Sequence, residues 1–73
     1  MMQNVRIDIP NIRKNDQQNI MSVFNYLAGA KVSTISFEEK QAVFEQDTNV
    51  ININKILNVL RSLGLSAFLH SVE

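Results

Sequence analysis

The order in which two hydrophobic periods follow one another most constrains the fold of this chain. Apolar residues alternate with polar ones in a first segment and recur at helical spacing in a second. Two short alternating segments, a second segment of helical spacing and a final alternating segment follow. These six segments fill 73 residues with no linker or repeat between them. Since strand–helix–strand crossovers are right-handed, we expect an α+β, ferredoxin-like βαββαβ plait. Its four-stranded antiparallel sheet would have the order 4-1-3-2, with two helices on one face.

Apolar residues define each element. In the first strand, Val5, Ile7 and Ile9 alternate with polar residues, and Pro10 ends the strand because proline cannot donate to a ladder. The first helix should be about 13 residues long. The other predicted apolar positions are Ile20, Val23, Phe24 and Leu27 (first helix), Ile35 and Phe37 (second strand), Ala42 and Phe44 (third strand), Ile56, Val59, Leu60 and Leu63 (second helix), and Leu65, Ala67 and Leu69 (last strand).

The ends of both helices carry recognisable residues. Asn15 or Asp16 is expected to cap the first helix, and Asn52 or Asn54 the second, because a short side-chain oxygen satisfies the free amides there. Gly29 and Gly64 follow the last apolar positions of the two helices, where a left-handed conformation is favoured.

Composition narrows the function. Seven basic and seven acidic residues cancel, so no long-range attraction to nucleic acid or anionic lipid is expected. The chain has no cysteine, which excludes disulfides and thiolate metal sites. No signal-peptide pattern and no apolar window approaching ~20 residues is present. We therefore expect one domain over residues 1–73, cytoplasmic, with no nucleic-acid and no membrane partner.

Position by position, the chain resembles the heavy-metal-associated domain family, the fold of small copper chaperones and of the soluble domains of metal-transporting ATPases. The resemblance spans the whole chain and implies the same ferredoxin-like plait; the family commonly has an aromatic residue at the position of Leu65. The residues that carry it are Val5-Arg6-Ile7-Asp8-Ile9; Ile20, Val23, Phe24, Leu27 and Gly29; Ile35-Ser36-Phe37-Glu38; Ala42, Phe44 and Asp47; and Ile51, Ile56, Val59, Leu60, Gly64, Leu65 and Ala67.

The departure from the family lies at its metal site. The family binds soft metal ions through two cysteines spaced C-x-x-C in the loop and first helical turn. Counting back from Gly29 places Arg13 and Asp16 at those two positions. Neither side chain can replace a thiolate for Cu(I), because soft ions prefer soft ligands. The resemblance therefore implies the fold without the metal-transfer activity, and we expect no cofactor.

The loop before the first helix has two open interpretations. Arg13, Lys14, Asn15 and Asp16 stand where free amides and the helix dipole favour an anion. They form a candidate loop for an anion or a partner. The alternative is that these are solvated charges, with Asp16 interacting with the helix start.

The open face of the sheet is the second candidate site. Phe68 has no place in the predicted core, and with Arg6, Val43 and His70 it forms a candidate interaction face. Val32, Thr34 and Ser36 are expected on the same face of the outer strand. Exposed apolar residues indicate a protein partner or a homo-oligomer, and the outer strands are edges that can pair with another chain. The alternative is that Phe68 only covers the stem of Arg6.

Catalytic chemistry has few candidate residues. No Ser/His/Asp set with plausible geometry and no thiol nucleophile is present, and His70, the single histidine, is an ordinary surface residue on its own. We therefore predict a non-enzymatic module for protein interaction or self-association. The alternative is a divergent metal-handling protein that binds a transition metal such as copper or zinc through other or partner-supplied ligands.

Overall fold

A computed structural model describes residues 1–73. The strands and helices, in chain order, are β1 (Met2–Asp8), α1 (Asp16–Tyr26), β2 (Ala30–Ser36), β3 (Gln41–Asp47), α2 (Ile53–Ser62) and β4 (Phe68–Val72). The four strands form one sheet in the order β2-β3-β1-β4, and all neighbours are antiparallel. This confirms the predicted α+β ferredoxin-like plait with the order 4-1-3-2. Neither helix is long and apolar enough to cross a membrane.

The core lies between one face of the sheet and the two helices. The rings of Phe24 and Phe44, from α1 and β3, have centroids 4.7 Å apart and are tilted by 40°. Such tilted aromatic pairs stabilise a core beyond the area that they bury. Ile56 and Leu60 of α2 belong to the same buried cluster, so both helices cover the same face, as predicted. The largest fully buried side chains are Phe24, Phe44, Ile7, Ile9, Ile20, Ile56, Leu60 and Val5.

The start of α1 differs from the prediction. The helix has 11 residues, and Asn15 precedes it without a side-chain capping bond. The Oδ2 atom of Asp16 instead accepts a hydrogen bond from the backbone amide of Arg13 at 2.8 Å. The expected caps at Asn15 and Asp16 were therefore wrong, because the carboxylate of Asp16 turns back to the preceding loop.

In α2 the structure chooses between the two predicted caps. The Oδ1 atom of Asn52 accepts from the backbone amide of Lys55 at 2.8 Å, so Asn52 is the cap. Leu57 is buried with Ile56 and Leu60, while Val59 is only partly buried. The apolar stripe is therefore rotated toward Leu57 relative to the prediction.

A bulge in β2 corrects the predicted phase of that strand. Val32 lies opposite Phe44 and Thr34 lies opposite Val43, so Ser33 is an extra residue. Val32 consequently packs against the core. The expectation that it lies on the open face was wrong. An extra residue reverses the alternation of side chains beyond it, and a strict period of two does not reveal it.

β4 contains a second bulge. Leu69 lies opposite Ile7 and Ser71 opposite Arg6, so His70 is the extra residue. The strand was expected over residues 65–70, but it begins at Phe68. Leu65 and Ala67 are buried ahead of it.

Candidate functional site

The loop between β1 and α1 holds Arg13 and Asp16, the two positions counted for the family cysteines. Its backbone is closed by short turns: the amide of Ile12 donates to Ile9 at 3.1 Å, and that of Asp16 donates to Arg13 at 3.0 Å. Ile12 is buried and anchors the loop in the core. The side chain of Arg13 is exposed, and the carboxylate of Asp16 is engaged with the Arg13 amide. Arg13 and Asp16 thus lie close together, and the carboxylate of Asp16 is already hydrogen-bonded within the loop.

Asn11 joins this loop to the segment between α2 and β4. Its Nδ2 atom donates to the carbonyl oxygen of Gly64 at 3.1 Å, and its Oδ1 atom accepts from the amide of Ser66 at 2.8 Å. One amide side chain therefore satisfies both a donor and an acceptor of the neighbouring loop. Sequence reasoning did not identify Asn11, since its role depends on a segment more than fifty residues away.

A cleft of about 250 Å³ lies between the two loops, lined by Asn11, Arg13, Asn15, Asp16, Leu63, Gly64 and Leu65. Lys14 does not line it; that side chain borders a separate depression with Asn15, Gln17, Gln18 and Met21. Arg13 and Asp16 therefore lie on one side of the helix start and Lys14 on the other, and Asn15 borders both.

The donors of this cleft do not fit a soft metal ion. They are amide groups, one guanidinium and one carboxylate, with no sulfur or imidazole among them. No group of three or more histidine, cysteine, aspartate or glutamate side chains comes together anywhere in the structure. The lining of this cleft therefore does not fit a soft metal ion.

The centre of the open sheet face is a polar network across three strands. Gln41 donates from Nε2 to the Oδ1 atom of Asp8 at 2.8 Å, and His70 Nδ1 lies 3.1 Å from Asp8 Oδ2. Arg6 Nη1 donates to Gln41 Oε1 at 3.2 Å, and Arg6 Nε lies 3.3 Å from Glu73 Oε1. The hydrogen bond from Gln41, followed by that of His70, lowers the pKa of Asp8. Arg6 and His70 are therefore linked through Gln41 and Asp8.

The two apolar residues of the predicted face flank this network. Phe68 lies opposite Asp8, and Val43 lies opposite Arg6 on the other side of β1. Phe68 is exposed and Val43 is half-buried. The structure thus places Arg6, Val43, Phe68 and His70 on one side of the sheet, with polar groups between the two apolar ones.

The remaining apolar residues of β4 correct the prediction: Leu69 was expected in the core, and Val72 was not identified. Leu69 and Val72 are both exposed and lie opposite Ile7 and Val5, on the side of the helices. Leu69 also borders a cavity of about 540 Å³, whose apolar lining is completed by Ile51, Ile53 and Leu57. Val72 was missed because the last strand was expected to end at His70, although the chain continues without a charge from His70 to Val72.

Comparisons with known proteins identify the fold. No family model and no curated protein sequence matches the chain. Among solved structures, oxidized MerP from Ralstonia metallidurans CH34 superimposes with a TM-score of 0.84 at 19% identity, over 97% of this chain and 100% of that one. The N-terminal domain of a potential copper-translocating P-type ATPase from Bacillus subtilis, in its Cu(I)-loaded state, gives 0.84 at 16% identity, over 100% of this chain and 92% of that one.

Both neighbours are heavy-metal-associated domains, and the agreement covers essentially the whole chain. At these identities the comparison establishes the architecture, which is the one that the sequence resemblance implied. Arg13 and Asp16 occupy the positions counted for the metal-binding cysteines, and the chain contains no cysteine at all. This chain therefore has the fold of a heavy-metal-associated domain without the cysteine pair of that family.

Proposed function

We propose that this chain is a non-enzymatic protein-interaction module that uses strand β4 as its contact surface. The observation that carries the proposal is the exposure of three large apolar side chains within five residues: Phe68 is 55%, Leu69 46% and Val72 44% exposed. Large apolar side chains that stay exposed close together are typical of a surface that another molecule covers. Phe68 lies on the open face of the sheet and the other two lie on the side of the helices, so the strand offers apolar contacts on both faces.

The state of the β1–α1 loop supports this proposal. Asp16 is bonded to the Arg13 amide and Asn11 is bonded to the neighbouring loop. The loop is thus held by its own side chains without a ligand. A surface elsewhere on the domain is then the better candidate for function, and β4 is the most apolar exposed segment of the sheet.

The proposal is tested by a charge introduced on β4. Phe68→Glu should abolish binding of partner proteins when the immobilised domain is incubated with an extract of the source cells. A second copy of this chain counts as such a partner. Val50→Glu is the matched control, because Val50 is an equally exposed apolar residue (57%) outside β4. If the two variants and the wild type retain the same proteins, β4 is not the contact surface. Circular dichroism of both variants checks that the fold is kept.

A second function is binding of a copper or zinc ion as cargo, with ligands completed by a partner. It is favoured by the likeness in fold to a domain solved in its Cu(I)-loaded state and by the His70–Asp8 pair on the open face. An NMR titration with Cu(I), then Zn(II), under reducing conditions tests it. Saturable shifts of the amides of residues 10–20, or of those around His70, would support metal handling. Unchanged spectra would contradict binding by this chain alone.

A further inference from the structure

We infer that β4 pairs with β4 of a second copy of this chain across a two-fold axis, so that the two sheets become one continuous antiparallel sheet. The inference rests on the proposed interaction function and names the partner. An interface of this kind uses the same patch on both subunits, so the patch must be complementary to itself. Main-chain hydrogen bonds between edge strands supply affinity, and the facing side chains supply specificity.

Only one of the two sheet edges is suited to such pairing. Edges are commonly protected by lysine, proline or charged residues. β2 carries Lys31 at its edge, and its apolar side chains are at least partly covered. β4 has neither lysine nor proline, and His70 is its only ionisable residue. β4 is therefore the edge without a protecting lysine or proline, and a formal net charge of zero gives no long-range repulsion between copies.

The backbone of β4 offers free hydrogen-bonding groups at this edge. Asn4 and Glu73 exchange both of their backbone hydrogen bonds, at 3.0 and 2.7 Å. In an antiparallel ladder such pairs alternate with residues whose N–H and C=O point the other way. The amide and carbonyl of Val72 consequently point away from β1, toward the open edge.

The bulge at His70 decides the register of the pair. Side chains that face each other across two antiparallel strands project from the same side of the sheet. Leu69 and Val72 both project toward the helices, whereas Phe68 and Ser71 project from the open face. A register that places Leu69 of one copy opposite Val72 of the other satisfies this rule at every position. It also sets His70 opposite Ser71 and Phe68 opposite Glu73.

This register makes the two bulges compatible. A single bulge facing a regular strand would interrupt the ladder, which is why bulges protect edges. In the inferred pair both extra residues lie beside the two-fold axis and offset each other. Each Leu69 meets a Val72, so two apolar contacts form on the side of the helices. The Val72 side chain also arrives next to the cavity of about 540 Å³ that Leu69 borders with Leu57.

Sedimentation equilibrium from micromolar to millimolar concentration tests the pairing. The wild type should dimerise, and Val72→Glu and Leu69→Lys should each be monomeric, since a charge then faces an apolar side chain. An equal mixture of the two variants should dimerise again, because one contact becomes Glu opposite Lys and the other remains Leu opposite Val. A wild type that stays monomeric, or a mixture that does not recover, overturns the inference. Val50→Glu, a charge at an exposed apolar residue outside β4, should dimerise like the wild type.

Cross-linking tests the register itself. Because the chain has no native cysteine, any disulfide must join the introduced residues. A mixture of Leu69→Cys and Val72→Cys should form a disulfide in much higher yield than either variant alone. Higher yield from Leu69→Cys alone would indicate another register and overturn the one inferred. If no variant cross-links and the wild type is monomeric, self-pairing fails. The proposed interaction function then still stands if the wild-type domain retains another protein from the extract and Phe68→Glu does not.

Discussion

The Nδ1 atom of His70 and the Oδ2 atom of Asp8 lie 3.1 Å apart on the open face of the sheet, between β4 and β1. The other carboxylate oxygen of Asp8 accepts from Gln41 at 2.8 Å. Both oxygens of one exposed carboxylate are therefore engaged by neighbouring strands. The Asp8 carboxylate thus links β1, β3 and β4, and its ionised form stabilises the folded state.

A dependence of stability on acid follows for Asp8. The pKa of its carboxyl is lowered from the ordinary value of 3.8, first by the hydrogen bond from Gln41 and then by that of His70. The folded state therefore holds this proton less tightly than the unfolded state does. The stabilisation by the ionised carboxylate is fully present above pH 3.8 and is lost as the pH falls through the lowered folded-state pKa. Carbon-13 NMR of the Asp8 carboxyl should give the lowered pKa directly.

Two variants separate the causes. Gln41→Ala should raise the pKa of Asp8 toward its ordinary value more than His70→Ala does, because the bond from Gln41 is the larger cause. Asp8→Asn should show a weaker loss of stability in acid than the wild type. A pKa of Asp8 that does not move in Gln41→Ala would contradict the hydrogen-bonded arrangement.

The aromatic pair in the core gives a second prediction. Phe24→Ala should lower the free energy of unfolding by about 3–5 kcal/mol, because it removes a fully packed ring and leaves a cavity beside Phe44. Urea denaturation measures the change. Phe68→Ala is the matched control: its ring is more than half exposed, so the expected change is within about 0.5 kcal/mol. Equal costs for the two variants would mean that Phe68 is part of the core.

The two glycines give a third prediction, because they share a backbone conformation and differ in their surroundings. Gly29 has a φ of +87° and Gly64 a φ of +84°. A methyl group on Gly64 would meet nothing within 4 Å, whereas on Gly29 it would lie 2.7 Å from Val50 Cγ1 and 2.8 Å from Val50 Cβ. Gly64→Ala should cost about 1–2 kcal/mol, the strain of a left-handed residue. Gly29→Ala should cost more by at least about 1 kcal/mol from overpacking.

Thermal or urea unfolding of both alanine variants measures the difference. Adding Val50→Ala to Gly29→Ala should recover only part of the excess, because the Cβ atom of Val50 is itself too close. Equal destabilisation by the two glycine substitutions would show that the contact with Val50 is absent.

The bridge made by Asn11 gives a fourth prediction. Asn11→Ala should lower the free energy of unfolding by about 1–2 kcal/mol, since it breaks one hydrogen bond to Gly64 and one to Ser66. Hydrogen exchange at the Ser66 amide should accelerate at the same time. Asn15→Ala is the control, because Asn15 lies in the same loop without a side-chain capping bond; its change should be near zero. Similar effects of both variants would contradict a specific role of Asn11.

The elements and the core of this fold can be predicted from the sequence because both depend on periodicity. Val5, Ile7 and Phe44 show a period of two, and Ile20 and Phe24 show a helical one; the structure buries all five. The face on which Val32 lies, before the bulge in β2, and the phase of β4 beyond His70 could not be predicted. A bulge is fixed by the partner strand, which a single sequence does not display.

The candidate site was predicted in part for a similar physical reason. Arg6, Phe68 and His70 share the open face, as the alternation indicated. The bridge from Asn11 to Gly64 and Ser66 joins segments far apart in sequence, so no local pattern announces it. Val72 was missed because the last strand was expected to end at His70, whereas β4 continues to Val72.

The position of β1 in the middle of the sheet has a consequence for how the chain folds. β1 pairs with β3 and β4, so Val5 meets Phe44 and Val72 but no residue of the strand that follows it in sequence. Only β2 and β3 are paired strands that also follow one another in the sequence. Closing such long loops costs entropy before any contact repays it, and domains with many non-local contacts fold more slowly than helical ones. We therefore expect the β2–β3 hairpin to form early and the docking of β1 and β4 to limit the rate.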